Sequence, residues 1–211
     1  DRYNWKFFGE KEDFTPSEEG PYTPRGRVLG GSSSINGMNW VRGNPADYNG
    51  WKNAGLTSWS YAHCLPYFKR SEQYKQGDPA YRGNSGPTNI IKAEITNPLF
   101  QSFLDASSEY GLELNPDHNG VKQVGAHKTQ RNVSGGIRHS ASQAYLYDQA
   151  EKANLEILQE TRCTKIEFSG KDATKVHLNR RGEVFKIDIG TELILSAGAI
   201  QSPHLLMLSG I

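Results

Sequence analysis

The stretch from Arg25 to Gly43, RGRVLGGSSSINGMNWVRG, restricts the fold more than any other part of the chain. Its glycines break the side-chain periodicity of a helix or strand, while Val28, Leu29, Ile35, Met38 and Trp40 are too apolar for a flexible linker. Such a segment folds as an ordered loop. Within it, Gly30-Gly31-Ser32-Ser33-Ser34 lets a ligand approach the backbone and offers amides and hydroxyls to an anion, with Arg25 and Arg27 adding positive charge alongside. A tight structural turn would explain an isolated glycine–serine run equally well. Asn36-Gly37-Met38-Asn39-Trp40 tips the balance, because a second close-approach glycine lies between two amide side chains that donate and accept, which suits the edge of a planar heterocycle.

Around this loop the sequence predicts mixed helix and strand. Residues 1–24 read as an extended surface segment. Ser60 as an N-cap, with Tyr61, Leu65 and Phe68 at helical spacing, predicts a helix within 58–72 that Pro66 kinks or shortens. Asn97-Pro98 opens a second helix that buries Phe100, Phe103 and Leu104 and stops at Gly111. A third runs from Ser140 through Gln149 with Ala141, Ala144 and Tyr145 on one side. Beyond Asn154, short runs at 155–159, 163–168, 175–178, 184–189 and 192–196, separated by turns at Ser169-Gly170 and Arg181-Gly182, predict an antiparallel meander. Ser202 as cap and Pro203 in the first turn open a final helix that ends before Gly210.

The bulk properties exclude several partners. With 24 Lys+Arg against 23 Asp+Glu the net charge is +1, so no global field draws the chain to nucleic acid or an anionic membrane, and a small molecule is the expected partner. No apolar run approaches the ~20 residues of a transmembrane segment. Cys64 and Cys163 are far apart with no CxxC spacing, which argues against a zinc site or disulfide framework; buried thiols and no metal are expected. The start, Asp1-Arg2-Tyr3-Asn4-Trp5, shows neither an initiator Met nor a signal-peptide pattern, and the end falls inside a helix-ending motif, so the chain reads as an internal piece.

Gly26-Arg27-Val28-Leu29-Gly30-Gly31-Ser32-Ser33-Ser34-Ile35-Asn36-Gly37-Met38, continued by Val41-Arg42-Gly43 and Asp47-Tyr48, resembles the first signature of the glucose-methanol-choline (GMC) oxidoreductases. Gly198-Ala199-Ile200-Gln201-Ser202-Pro203, followed by Leu205-Leu206 and Leu208-Ser209-Gly210, is similar to the second. Asn97-Pro98 and Arg138-His139-Ser140 also resemble family positions. The resemblance implies an α/β fold with α+β character: part of an FAD-binding Rossmann-like domain with an antiparallel β-meander, and part of a substrate-binding cap domain, neither complete. The expected divisions are 1–58 for an FAD-binding segment with its flavin loop at 25–43, 59–150 for part of the cap, and 151–211 for the meander and an adenosine-side turn.

The implied activity is oxidation of the CH–OH group of a primary alcohol by hydride transfer to FAD, with oxygen or a quinone as final acceptor. A hydroxynitrile lyase or flavin photodecarboxylase on the same scaffold, or a non-catalytic module, are the alternatives. The resemblance places Arg27, Leu29, Gly30, Gly31, Ser32, Asn36, Gly37, Met38 and Asn39 along the flavin and its diphosphate, the backbone of Cys163 near the adenine, and Ala197 and Gly198 near the adenosine. Ile35 stands where some members attach FAD through histidine, and it carries no nucleophilic atom, so non-covalent FAD is implied. No GxGxxG dinucleotide fingerprint is present. The family's catalytic histidine lies beyond Ile211, so no residue is assigned as base. His63, His118, His127, His139, His177 and His204 show no carboxylate or serine partner at a telling spacing and read as surface or structural residues, with His139 kept as a second choice because it borders the family-like Arg138-His139-Ser140. Asn132-Val133-Ser134 has the form of a glycosylation acceptor.

Overall fold

A computed structural model describes residues 2–15, 18–94 and 96–211. Asp1, Pro16 and Ser17 of the expected extended segment lie outside the described residues. The chain forms two compact units, Asp1–Glu151 and Lys152–Ile211.

Among the described residues four α-helices belong to the first unit, and all four start at side-chain caps. Asn44 Oδ1 accepts from Ala46 N to open α1, Pro45–Asn53. Ser60 opens α2, Tyr61–Ser71, and Asn97 opens α3, Pro98–Glu109, each by accepting a backbone N–H. Pro66 lies inside α2 without ending it, so the expected shortening does not occur. Its ring leaves the Ala62 carbonyl without the usual helical donor. α3 buries Leu104 as expected, but Phe100 and Phe103 are 59% and 67% exposed. Periodicity marked a face there and not what covers it. Ser140 caps only five residues, α4, Ala141–Tyr145, and a 3₁₀ turn takes over at Tyr147–Gln149. Short two-residue ladders join the connecting segments, including Glu72–Gln73 parallel to Thr88–Asn89.

The second unit is the meander. β1 (Thr161–Ser169), β2 (Asp172–Arg180) and β3 (Glu183–Asp188) form an antiparallel sheet with β2 in the centre. The turns are at the two predicted positions, and Gly170 and Gly182 both have the positive φ those turns require. Ile166 faces Val176 across the ladder, Leu178 faces Cys163 and Phe185, and Ile166, Leu178 and Leu205 make the small core. Leu205 comes from α5, Gln201–Leu208. Ser209 at its end accepts from Ile166 N at 2.8 Å. Ser202 lies inside the first turn of α5, and Ile200, not Ser202, is the cap. The runs 155–159 and 192–196 are not strands. A strand exists only with a ladder partner, and among the described residues neither run pairs with another.

Candidate functional site

The glycine–serine loop is ordered, as its composition predicted, by its own hydroxyls. Ser32 Oγ accepts from Gly26 N at 3.1 Å, Ser33 Oγ donates to Gly30 O at 2.5 Å, and Ser34 Oγ donates to Leu29 O at 2.7 Å. The hydroxyls expected to meet an anion are therefore used inside the loop. Gly31–Ser34 form one 3₁₀ turn, entered through Gly30 in the left-handed region at φ 83°. A Cβ on Gly30 would lie 2.6 Å from Ser34 Oγ and 2.9 Å from Ser142 Oγ, so glycine is demanded here by the chain itself.

Gly37 is a different case. It lies outside the left-handed region, and a Cβ there would meet nothing within 4 Å. Neither backbone conformation nor packing within this chain calls for glycine at that position. The space beside the peptide is open and Gly37 is exposed, which is the form a planar ring needs to lie against the main chain. On either side the loop is held firmly. Asn36 Oδ1 accepts from Met38 N at 2.9 Å, Met38 takes a left-handed φ of 64°, and Met38 O accepts from Asn132 N at 3.1 Å. Trp40 N donates to Gln130 O at 2.9 Å. Asn132, in the acceptor-like tripeptide, is buried with its amide donated to His139 O at 2.8 Å, so it is unavailable to a glycan.

Arg27 and Leu29 precede the turn. The Arg27 guanidinium lies over the Trp5 ring at 4.9 Å, and Leu29 is half-buried. Ser32, Asn36 and Asn39 are exposed, and Ile35 presents only hydrocarbon. Arg27, Leu29, Gly30, Gly31, Ser32, Asn36, Gly37, Met38 and Asn39 thus share one continuous loop in the first unit.

Sequence reasoning missed a buried polar cluster at the C-terminal end of this loop. Glu72, wholly buried, receives Arg42 Nη2 at 2.6 Å, Arg82 Nε at 2.7 Å, Trp40 Nε1 at 2.8 Å and Gly83 N at 3.0 Å. Arg82 also pairs with Asp117 at 2.5 Å and donates to Gln130 Oε1 at 2.8 Å, and its guanidinium lies 4.1 Å from the centre of the Tyr74 ring. Asn119 bridges Gln130 Oε1, Trp40 O and Arg42 N. Arg42 Nη1 ends on Tyr81 O at 2.7 Å. Charged residues at these spacings read as a solvated face, and no local signal marks them as core. Because Trp40 and Arg42 are the last residues of the loop but for Gly43 and the intervening Val41, the cluster anchors its C-terminal end.

His118 belongs to this region and stacks on His127 with ring centres 3.9 Å apart. Its Nε2 donates to Trp40 O at 3.0 Å, and its buried Nδ1 has no partner among the described residues. Burial holds the ring's pKa below the usual imidazole range, and His127 pushes the same way, against the Trp40 carbonyl and Asp117. The folded state therefore binds this proton less readily than the unfolded chain. His118's contribution is complete above about pH 6.5 and declines as the pH falls below it. Urea midpoints at about pH 7.5 and about pH 5.5 should differ less in His118→Asn than in the parent, by at most about 1.4 kcal/mol per pH unit; identical slopes would exclude the effect. Two other histidines do have a carboxylate or serine partner: His177 Nε2 meets Glu167 Oε2 at 3.0 Å across the meander, and His63 Nδ1 meets Ser60 Oγ at 2.6 Å at the start of α2. Both partners come from sheet register or helix turn.

In the second unit, Cys163 is half-buried in β1, where Thr164 is the extra residue of a bulge between the Cys163–Leu178 and Lys165–His177 pairs. Burial raises its thiol pKa, which keeps the sulfur protonated and unreactive. Ala197 and Gly198 are exposed in the turn before α5, with Gly198 at φ 92° and open space at its Cβ position.

A family model described as GMC oxidoreductase matches residues 17–211. The chain is 49% identical over 191 residues to an oxygen-dependent choline dehydrogenase of Staphylococcus xylosus, covering 89% of this chain and 34% of that protein. It is 41% identical over 210 residues to one of Rhizobium johnstonii, covering 100% and 38%. Among solved structures it is similar to pyridoxine 4-oxidase from Mesorbium loti, with TM-score 0.91, 30% identity and coverage of 99% of this chain and 41% of that one. A formate oxidase of Aspergillus oryzae follows at TM-score 0.84 and 27% identity, covering 100% and 38%. The chain spans about a third of the length of the curated relatives it matches.

Proposed function

The chain belongs to the GMC oxidoreductase family, and on that premise we propose that it is the flavin-wrapping part of an FAD-dependent enzyme that oxidises the CH–OH group of a primary alcohol. Gly37 carries the reading. It is a glycine that the chain's own packing and conformation do not require, beside open space, in a loop tied down on both sides. In this reading Gly30, Gly31, Ser32, Asn36, Gly37, Met38 and Asn39 lie along the flavin and its diphosphate, with Arg27 and Leu29 at the entry to the loop. The main chain of Cys163, with Ala197 and Gly198, lies on the adenosine side. When bound, FAD supplies the two-electron acceptor for the alcohol.

The role of this chain's residues is to hold and orient. Ser32, Ser33 and Ser34 keep the loop backbone in shape through the hydrogen bonds of their hydroxyls. Asn36 and Asn132 hold the Met38 peptide in place. Ile35 offers no atom for a covalent bond, so the cofactor is held by non-covalent contacts alone. Relatives named for choline point to a primary alcohol, while those named for pyridoxine and formate show that the scaffold does not dictate the substrate.

The full-length protein is expected to purify yellow, to release its flavin into the supernatant on acid precipitation, and to bleach under anaerobic conditions when a primary alcohol such as choline is added. A colourless preparation that leaves the fluorescence of added FAD unquenched would refute the cofactor assignment; a yellow one that no primary alcohol bleaches would refute the substrate class.

A further inference from the structure

We propose that Arg138 is a positioning residue for the flavin loop, setting the orientation of the Asn36–Met38 peptides from the outside; this rests on the flavin reading above. Its Nη1 donates to Asn36 O at 2.7 Å, to Asn36 Oδ1 at 2.9 Å and to Ser33 O at 3.2 Å. Asn36 Oδ1 is the same atom that accepts Met38 N, so one guanidinium nitrogen controls the turn that places Met38 in the left-handed region. A non-glycine residue in that region is strained and stays there only while its neighbours hold it.

Arg138 is itself held rigidly. It sits on a short hairpin in which Val133 pairs with Arg138 and Ser134 with Ile137. Gly135 and Gly136, at φ 55° and 77°, close it with the two left-handed residues that a tight two-residue hairpin requires. The same hairpin reaches the loop at two more points. Asn132, at its base, donates its N–H to Met38 O at 3.1 Å, and Ala141, just beyond it, donates its N–H to Ser33 Oγ at 2.9 Å. The hairpin therefore grips Ser33, Asn36 and Met38 together, with Gly37 in the middle of the grip. Arg138 supplies the only charged contact of the three, and hydrogen bonds from a charged donor are the stronger kind.

Loss of the guanidinium should let the Met38 peptide relax, moving the backbone beside Gly37 and loosening the flavin. The test compares wild type, Arg138→Met and Arg138→Lys in the full-length protein by FAD fluorescence titration and by the visible circular dichroism of the bound flavin. Arg138→Met is expected to weaken FAD binding at least about tenfold and to alter the visible dichroism, while Arg138→Lys, which keeps a charged donor, recovers part of both. Should Arg138→Met fail to fold, Arg138→Lys alone decides, since the ammonium cannot reproduce the planar, fixed donor geometry. Wild-type affinity and wild-type dichroism in whichever folded variant is measured would overturn the proposal. Wild-type protein that binds no FAD would instead overturn the flavin reading itself.

Discussion

Replacement of Glu72 by alanine is expected to destabilise the Asp1–Glu151 unit by about 3–5 kcal/mol, the usual cost of removing one partner from a buried ion pair. Four donors lose their acceptor at once: the Arg42 and Arg82 guanidinium groups, the Trp40 indole and the Gly83 amide. Arg82 would retain Asp117, whereas the other hydrogen-bond acceptors of the Arg42 guanidinium among the described residues are neutral carbonyls, so Arg42 becomes the uncompensated charge. Against a domain stability of about 5–15 kcal/mol this is a large share. Glu72→Gln keeps the shape and loses the charge, and should fall between the two. Urea unfolding followed by far-UV circular dichroism checks both variants. A midpoint for Glu72→Ala equal to the parent's would show that the cluster contributes nothing net.

The two loop glycines should separate folding from binding. Gly30→Ala forces a side chain into the left-handed region and against Ser34 and Ser142, so a stability loss of about 1–3 kcal/mol is expected, with flavin affinity falling as a consequence. Gly37→Ala meets no atom of the chain and needs no unusual backbone, so its stability should stay within about 0.5 kcal/mol of the parent. Its added methyl group enters the space proposed for the flavin, and FAD affinity should drop at least about tenfold. The pairing of an unchanged urea midpoint with lost FAD binding is what identifies a ligand contact. A Gly37→Ala protein that binds FAD as tightly as the parent would remove Gly37 from the site.

Local signals carried much of the fold. Ser60 and Ser140 cap the helices they were expected to cap, and Asn97 caps the helix expected to open at Asn97-Pro98, because a cap is a contact between residues two or three apart and is written entirely in the local sequence. The meander was readable for the same reason, since Gly170 and Gly182 supply turns that only a few residue types accept. What could not be read depends on distant partners. Leu155 to Gln159 and Glu192 to Ser196 have strand character without a ladder, and Phe100 and Phe103 have helical spacing without a cover. The Glu72 cluster left no trace, because a buried Arg–Glu pair and an exposed one are written with the same letters. In the loop, the glycines and Asn36 pointed to a ligand-facing backbone, while Arg138, which grips that backbone, stood more than a hundred residues away.

The Glu72 cluster also bears on how the unit comes together in time. Its members come from Trp40 and Arg42, from Glu72, from Arg82, from Asp117 and Asn119, and from Gln130, so large loops must close before any of these charges finds its full set of partners. On a chain emerging from the ribosome, Arg82 and Asn119 would lack their shared Gln130 acceptor until residue 130 had been synthesised, and dehydration before then is unfavourable. The cluster is therefore expected to dry only after these loops have closed.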